Sequence, residues 1–263
     1  MKFARFRVDG YDYYGQVEAD RLRAIQGDLF SGDYRLTGAV FALDRVTLLP
    51  PSRPVNFWGV GENYPVHVRF RIEQMGREIE ERAKRFTPWH KGVGSLIASG
   101  DTVVMPPDLK VLEYEGELCV VIGRPAYRVS RDEAPHYIFG YAVSNDISGA
   151  DYHDAFMWRM KCSDTFGPVG PWIETTIDPH NLDIITRVDG REEDRGNTRD
   201  MIHDCDAIVS NISQYCTLHP GDLITTGAPG STRPLKPGEV VEVEIPGIGV
   251  LRNPIAASRS ATA

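Results

Sequence analysis

The chain predicts a β-rich α+β fold, and three features carry that expectation. Short apolar runs such as "ELCVVIGRP", "YIFGYAVSNDIS" and "EVVEVEIPGIGV" have the length and β-branched content of strands. Gly and Pro interrupt them at short intervals, as turn residues do. One stretch, residues 71–86, carries a strong helical period.

The elements follow in order. "KFARFRV" alternates apolar and basic residues, "DG" at 9–10 signals a hairpin turn, and "YDYYGQVEA" supplies the returning strand. A small N-terminal β-rich domain over residues 1–50 is therefore expected. The Pro-rich connector "LLPPSRP" cannot be helix interior, and a larger domain, 51–256, is expected beyond it. In 71–86, Ile72, Met75, Ile79, Ala83 and Phe86 recur at spacings of three and four. Glu78 and Arg82, Glu80 and Lys84, and Glu81 and Arg85 form i,i+4 pairs in the favourable order, against a cost of about 1 kcal/mol for Gly76. Past Gly92 the pattern is strand and turn, with short helices expected near "SRDEAPHYI" and "MIHDCDAIVSNISQYC". The tail, residues 257–263, reads as disordered.

Composition excludes several classes. A net charge of −8 argues against nucleic-acid binding and offers no basic arm to a membrane surface. No apolar run approaches the roughly 20 residues of a membrane span, and charge follows residues 1–6 where a secretory segment would stay apolar. Cys119, Cys162, Cys205 and Cys216 form no CxxC pair, so reduced thiols and a cytoplasmic location are expected.

Candidate chemistry begins at "LEYEGELCVVI". Glu115 and Glu117 are two residues apart at the head of an apolar strand, so both point to one face. Burying two like charges side by side requires a positive partner. Asp146 ends another apolar run, "AVSND". Three carboxylates without an obvious His or Cys partner suit a hard cation, Mg²⁺ or Mn²⁺, with Ca²⁺ compatible. On its own, ExE equally fits a solvent-facing stripe on an edge strand.

Six segments in order, "GVGENYPVHV", "EYEGELCVVIGR", "GYAVSNDIS", "KCSDTFGPVGPW", "GNTRDMI" and "TLHPGDLITTGAPG", strongly resemble the fumarylacetoacetate hydrolase family over residues 55–254. Residues 1–50 resemble the small N-terminal domain of many bacterial members. The resemblance implies a mixed β-roll or sandwich around a divalent metal held by Glu115, Glu117 and Asp146. It implies a 2-oxo acid substrate with a second carbonyl, and a homodimer. The metal then acts as a Lewis acid on the 2-oxo acid. His67 matches the general base, and Lys161 matches a lysine that stabilises negative charge on the substrate. Thr226 and Gly227 match a loop that hydrogen-bonds the substrate; Tyr64 and Lys91 are further candidates for contact with it. Cys162 is not expected to be a nucleophile, because no Cys–His dyad is suggested.

Departures from the pattern matter as much. The glutamate usual three residues after the histidine is Phe70 here, and an insertion would give its role to Glu73, provided the helix breaks before Ile72. Ala150 replaces an Arg, Ala228 a Thr and Asp194 a Gln, while His153 lies close enough in sequence to replace part of the lost polarity. The first functional expectation is hydrolysis of a C–C bond in an acylpyruvate or related 2,4-dioxo acid. The second uses the same site without hydrolysis, as a decarboxylase, keto–enol isomerase or hydratase, and needs no His–Glu dyad. The third is a catalytically silent metal-binding member.

Overall fold

The computed structural model describes residues 1–75, 85–152 and 155–258. At the N-terminus, β1 (Lys2–Val8), β2 (Tyr11–Glu18), β3 (Arg21–Asp28) and β4 (Asp33–Ala42) form an antiparallel meander, and β5 (Thr47–Leu49) returns to β1. The "DG" turn forms as expected, with Asp9 and Gly10 both at positive φ, the requirement of a tight hairpin whose twist matches its strands. Phe6, Tyr13 and Phe41 pack ring to ring beneath this sheet.

Then come β6 (Phe57–Val60), β7 (Pro88–Lys91), β8 (Leu96–Ile97), β9 (Val103–Met105), β10 (Leu112–Glu113), β11 (Gly116–Ile122), β12 (Ile138–Asn145), β13 (Ser148–Gly149) and β14 (Gly167–Glu174). The last strands are β15 (Asp183–Val188), β16 (Arg191–Asn197), β17 (Leu223–Thr225), β18 (Pro234–Leu235), β19 (Val240–Ile245) and β20 (Gly249–Ala257). One large sheet runs β4-β3-β2-β1-β14-β12-β11-β17-β6-β7, so the N-terminal meander continues the main sheet through pairing of β1 with β14. A second sheet, β16-β15-β19-β20-β9, packs against it, and β13-β10-β18 forms a third.

The core lies between the two large sheets. Leu118, Val120 and Ile122 of β11 project into it from one face, meeting Ile184, Val243 and Ile245; Cys119 and Val121 project from the other. Gly116 is demanded by that packing: a Cβ there would stand 2.4 Å from Thr186 Oγ1. The glycine between the two glutamates therefore lets the second sheet approach the strand that carries them.

Helices differ most from expectation. α1 spans Pro65–Met75, beginning six residues earlier than the periodicity suggests, with proline preset for the first helical position. Residues 76–84, which hold most of the expected i,i+4 pairs, lie outside the described residues, and Phe86 is not helical. Near "SRDEAPHYI" only a 3₁₀ turn forms, Ala134–Tyr137, although Ser130 Oγ does reach Glu133. α2 is the short Trp158–Cys162, and α3 is Cys205–Ser213, capped by Asp204 accepting from the Ala207 N–H. At the expected disordered tail, Ala257 ends β20, pairing with Met105, and the Ser258 N–H donates to the Met105 carbonyl; 259–263 lie outside the described residues. No helix among the described residues is long and apolar enough to cross a membrane.

Candidate metal centre and active site

Register builds the site. β11 and β12 run antiparallel with Gly116 opposite Asn145, so Glu115, just before β11, meets Asp146, just after β12. The backbone ties this corner: the Asp146 N–H donates to the Glu115 carbonyl at 2.8 Å, and the Glu115 N–H donates to Asn145 Oδ1 at 2.9 Å. Glu117 lies one strand period further on the same face. Each of Glu115, Glu117 and Asp146 offers an oxygen within 4.8 Å of the others, and all three are buried.

Buried cations balance them. Lys161, in α2, donates to Glu115 and, at 2.7 Å, to Asp146 Oδ2. Lys91, the last residue of β7, donates to Asp146 Oδ1 at 2.5 Å and to the Lys161 carbonyl. Arg71, in α1, reaches Glu115 Oε1 at 2.5 Å and Glu113 Oε2 at 3.0 Å. Glu117 accepts from the Gly227 N–H at 2.6 Å. Burial acts to raise the Glu115 carboxyl, but Lys161, then Arg71 and His67, hold it well below the usual range. Burial raises Glu117 strongly, and the charges of Asp146 and Glu115 push it further the same way. Burial acts to lower Lys161, yet Asp146 and Glu115 keep it above its ordinary value.

This donor set fits a divalent metal. Three converging carboxylates offer hard oxygen ligands, and the third of them, Glu117, has a backbone N–H where the other two have ammonium groups. A divalent cation would supply what Glu117 lacks.

His67 lies on α1, one turn before Arg71, on the face toward the triad. Its Nδ1 is 2.7 Å from the Gly230 carbonyl, which can only accept, so Nδ1 carries the proton. Nε2 is then the basic nitrogen; Arg71 Nε approaches it at 3.3 Å, and Glu115 Oε1 is 3.9 Å away. Burial, with Arg71 and Lys161 opposing a proton, lowers the His67 pKa and favours the neutral ring.

The structure redistributes the remaining expected roles. α1 runs without the break that the insertion idea needed, so Glu73 sits six residues from His67, roughly 120° around the helix. Glu73 is exposed and does not bond His67; instead the Gly230 carbonyl orients the imidazole. Thr226 spends its hydroxyl on the Leu118 carbonyl, and Gly227 its N–H on Glu117, because β17 pairs with β11 and its end lies over that strand. Both bonds brace the carboxylate strand. Lys91, expected at the substrate, instead holds Asp146. Tyr64 is buried at the start of α1, where its carbonyl accepts from the Val68 N–H. His153 lies outside the described residues. Cys162 Sγ faces the His90 carbonyl, 3.6 Å away, while the His90 ring stacks on Trp58.

Arg71, Glu113 and the Gly230 carbonyl were not anticipated. Glu113 extends ExE to ExExE, a signal visible in "EYEGE". Arg71 stands four residues after His67, a spacing that becomes informative once Pro65 is taken as the helix start. A backbone carbonyl leaves no side-chain signal at all.

Comparison with known proteins agrees with this architecture. Residues 56–256 match the family described as fumarylacetoacetate (FAA) hydrolase C-terminal, and residues 1–51 match one described as Rv2993c-like, N-terminal. The 4-hydroxyphenylacetate degradation bifunctional isomerase/decarboxylase of Salmonella dublin is 35% identical over 84% of this chain, which spans 51% of that protein. The mitochondrial oxaloacetate tautomerase FAHD2A of Homo sapiens is 32% identical over 82% of this chain and 71% of its own. Among solved structures, 5-carboxymethyl-2-hydroxymuconate delta-isomerase from Mycobacterium smegmatis superposes with a TM-score of 0.88, 31% identity and coverage of 98% of this chain and 100% of its own. Maleylpyruvate hydrolase from Sphingobium sp. SYK-6, in complex with manganese(II) ion and pyruvate, gives a TM-score of 0.81, 26% identity and the same coverage.

Proposed function

Because the chain belongs to the fumarylacetoacetate hydrolase family, whose members are enzymes, we propose that it is a divalent-metal-dependent isomerase of a small 2-oxo acid, interconverting its keto and enol forms. The observation that carries this reading is the state of His67. Its Nδ1 is closed by a backbone carbonyl, no side-chain carboxylate among the described residues meets that nitrogen, and its Nε2, approached by Arg71 Nε at 3.3 Å, faces the triad. Such a group can pass a single proton between two atoms of one substrate, which is all that isomerisation requires. The isomerase and tautomerase relatives support the same direction.

Glu115, Glu117 and Asp146 would hold the metal, which when bound supplies positive charge against the negative charge developing on a 2-oxo oxygen. His67 Nε2 accepts the proton from the carbon next to the carbonyl and returns it to the oxygen, so composition is unchanged. Lys161 and Lys91 fix the carboxylates in place and keep their surplus charge in check. Burial of His67 and the triad excludes bulk water, which strengthens each of these interactions.

A second reading, hydrolysis of an acylpyruvate-type C–C bond, is favoured by one feature: a neutral, buried imidazole can also take a proton from water. The two separate in one experiment. Oxaloacetate enol is followed by ultraviolet absorbance with Mn²⁺ or Mg²⁺ and with chelator, alongside acid release from an acylpyruvate panel and CO₂ release from oxaloacetate. Metal-dependent loss of the enol without acid or CO₂ release supports isomerisation, and loss of the enol with stoichiometric CO₂ moves the assignment to decarboxylation. Stoichiometric acid release with no effect on the enol moves the assignment to hydrolysis, and metal binding with no turnover on any substrate moves it to a silent member.

A further inference from the structure

Asp194 stands on β16, remote in sequence from every group above, yet it touches the element that sets His67. Its Oδ1 accepts from the Ser231 N–H at 3.0 Å. The carboxylate lies so close on Gly230 that a Cβ there would stand 2.0 Å from Oδ1. Two residues along the same face of β16, Gly196 packs on Pro229, where a Cβ would come within 2.2 Å of the proline ring. One strand face thus grips three successive residues, 229–231, and the middle one offers the carbonyl that receives the His67 Nδ1–H.

We propose that Asp194 is a positioning residue for His67: by fixing the Gly230–Ser231 peptide it aims the Gly230 carbonyl at Nδ1, and so helps to hold the ring in the tautomer whose unprotonated Nε2 faces the carboxylates. The chain of contacts is short and directional. Asp194 anchors the N–H of Ser231, the same peptide unit whose carbonyl belongs to Gly230, and a peptide is planar, so fixing one end fixes the other. The carbonyl fixes the Nδ1 side of the ring, since a neutral ring donates from one nitrogen only, while Arg71 Nε approaches Nε2 at 3.3 Å from the other side. Losing the Asp194 acceptor leaves the Ser231 N–H without its partner and lets the peptide rotate. The arrangement stands in for the missing carboxylate at Phe70, and the proposal rests on the reading of His67 as the proton-transfer group.

The test uses the full chain with saturating Mg²⁺, comparing wild type with Asp194→Ala and Asp194→Asn. The readout is the imidazole ¹⁵N spectrum, with His67→Asn to assign the signals, together with kcat and KM for oxaloacetate tautomerisation. Wild type is expected to show the Nδ1–H tautomer alone. Asp194→Ala is expected to show both tautomers and a kcat at least tenfold lower at a KM changed less than threefold. Asp194→Asn, which keeps an acceptor oxygen, is expected to restore the single tautomer and come within threefold of the wild-type kcat. Should the alanine variant not fold, Asp194→Leu keeps the volume without the acceptor and carries the same expectation. A folded Ala or Leu variant with an unchanged His67 spectrum overturns the proposal, as does an Asn variant that behaves like alanine. If wild type turns over no 2-oxo acid, the spectra still decide the role of Asp194, and only the reading of activity fails.

Discussion

Replacing Glu117 with Gln should stabilise the metal-free protein while removing its response to metal. Glu117 is 1% exposed, with carboxylate oxygens of Glu115 and Asp146 within 4.8 Å. At that distance and an effective dielectric near 20, each like-charged pair costs about 3 kcal/mol. Lys161 and Lys91 are already committed to the other two carboxylates. Without a cation, burial and the charges of Asp146 and Glu115 therefore shift Glu117 toward its protonated form. Its pKa is raised in the folded state, so the stability this group contributes is fully present below the ordinary value of 4.5 and declines as the pH rises above it. From pH 4.5 to 7 the decline is at most about 3.5 kcal/mol, at roughly 1.4 kcal/mol per unit. Glutamine mimics the protonated acid and escapes the decline. Urea denaturation in chelator at pH 5, 6, 7 and 8 should show the variant gaining on wild type as pH rises, by up to about 3.5 kcal/mol at pH 7. With saturating Mn²⁺ the order should reverse, because only wild type keeps three charged ligands. A Gln variant less stable than wild type in chelator at pH 7, or one stabilised equally by Mn²⁺, would refute the reasoning.

Three further outcomes are expected. His67→Ala should lower kcat by about 10²–10⁴; steady-state kinetics near the wild-type rate would remove it as the proton carrier. Glu73→Gln should leave kcat, KM and melting temperature essentially unchanged, because that side chain is exposed and does not bond His67; a loss matching the histidine variant would contradict the observed helix. Lys161→Met leaves Glu115 and Asp146 buried with one cation fewer and should cost about 3–5 kcal/mol in chelator. Mn²⁺ at a hundredfold its dissociation constant should return about 3 kcal/mol of that, and denaturation curves without such recovery would separate the lysine from the metal site.

The sequence by itself determined the β-rich architecture and the hairpin at Asp9–Gly10, and it singled out Glu115, Glu117 and Asp146 as candidate metal ligands. Each of these is a local signal: a period of two, a turn that needs positive φ, and charge set at the head of an apolar strand. The tertiary structure alone decided how the charges are shared. Lys91, Lys161 and Arg71 come from three separate elements, and only the sheet register and the docking of α1 bring them onto Glu115 and Asp146. The orientation of His67 was hidden more deeply, since its partner is a backbone carbonyl, which every residue possesses and no sequence pattern marks. Likewise, nothing in the sequence marks that the hydroxyl of Thr226 and the N–H of Gly227 reach the neighbouring strand, which follows from the pairing of β17 with β11. Side-chain chemistry is written residue by residue, but the partner that uses it is chosen by chain segments far apart in sequence, and that choice exists only once they have packed.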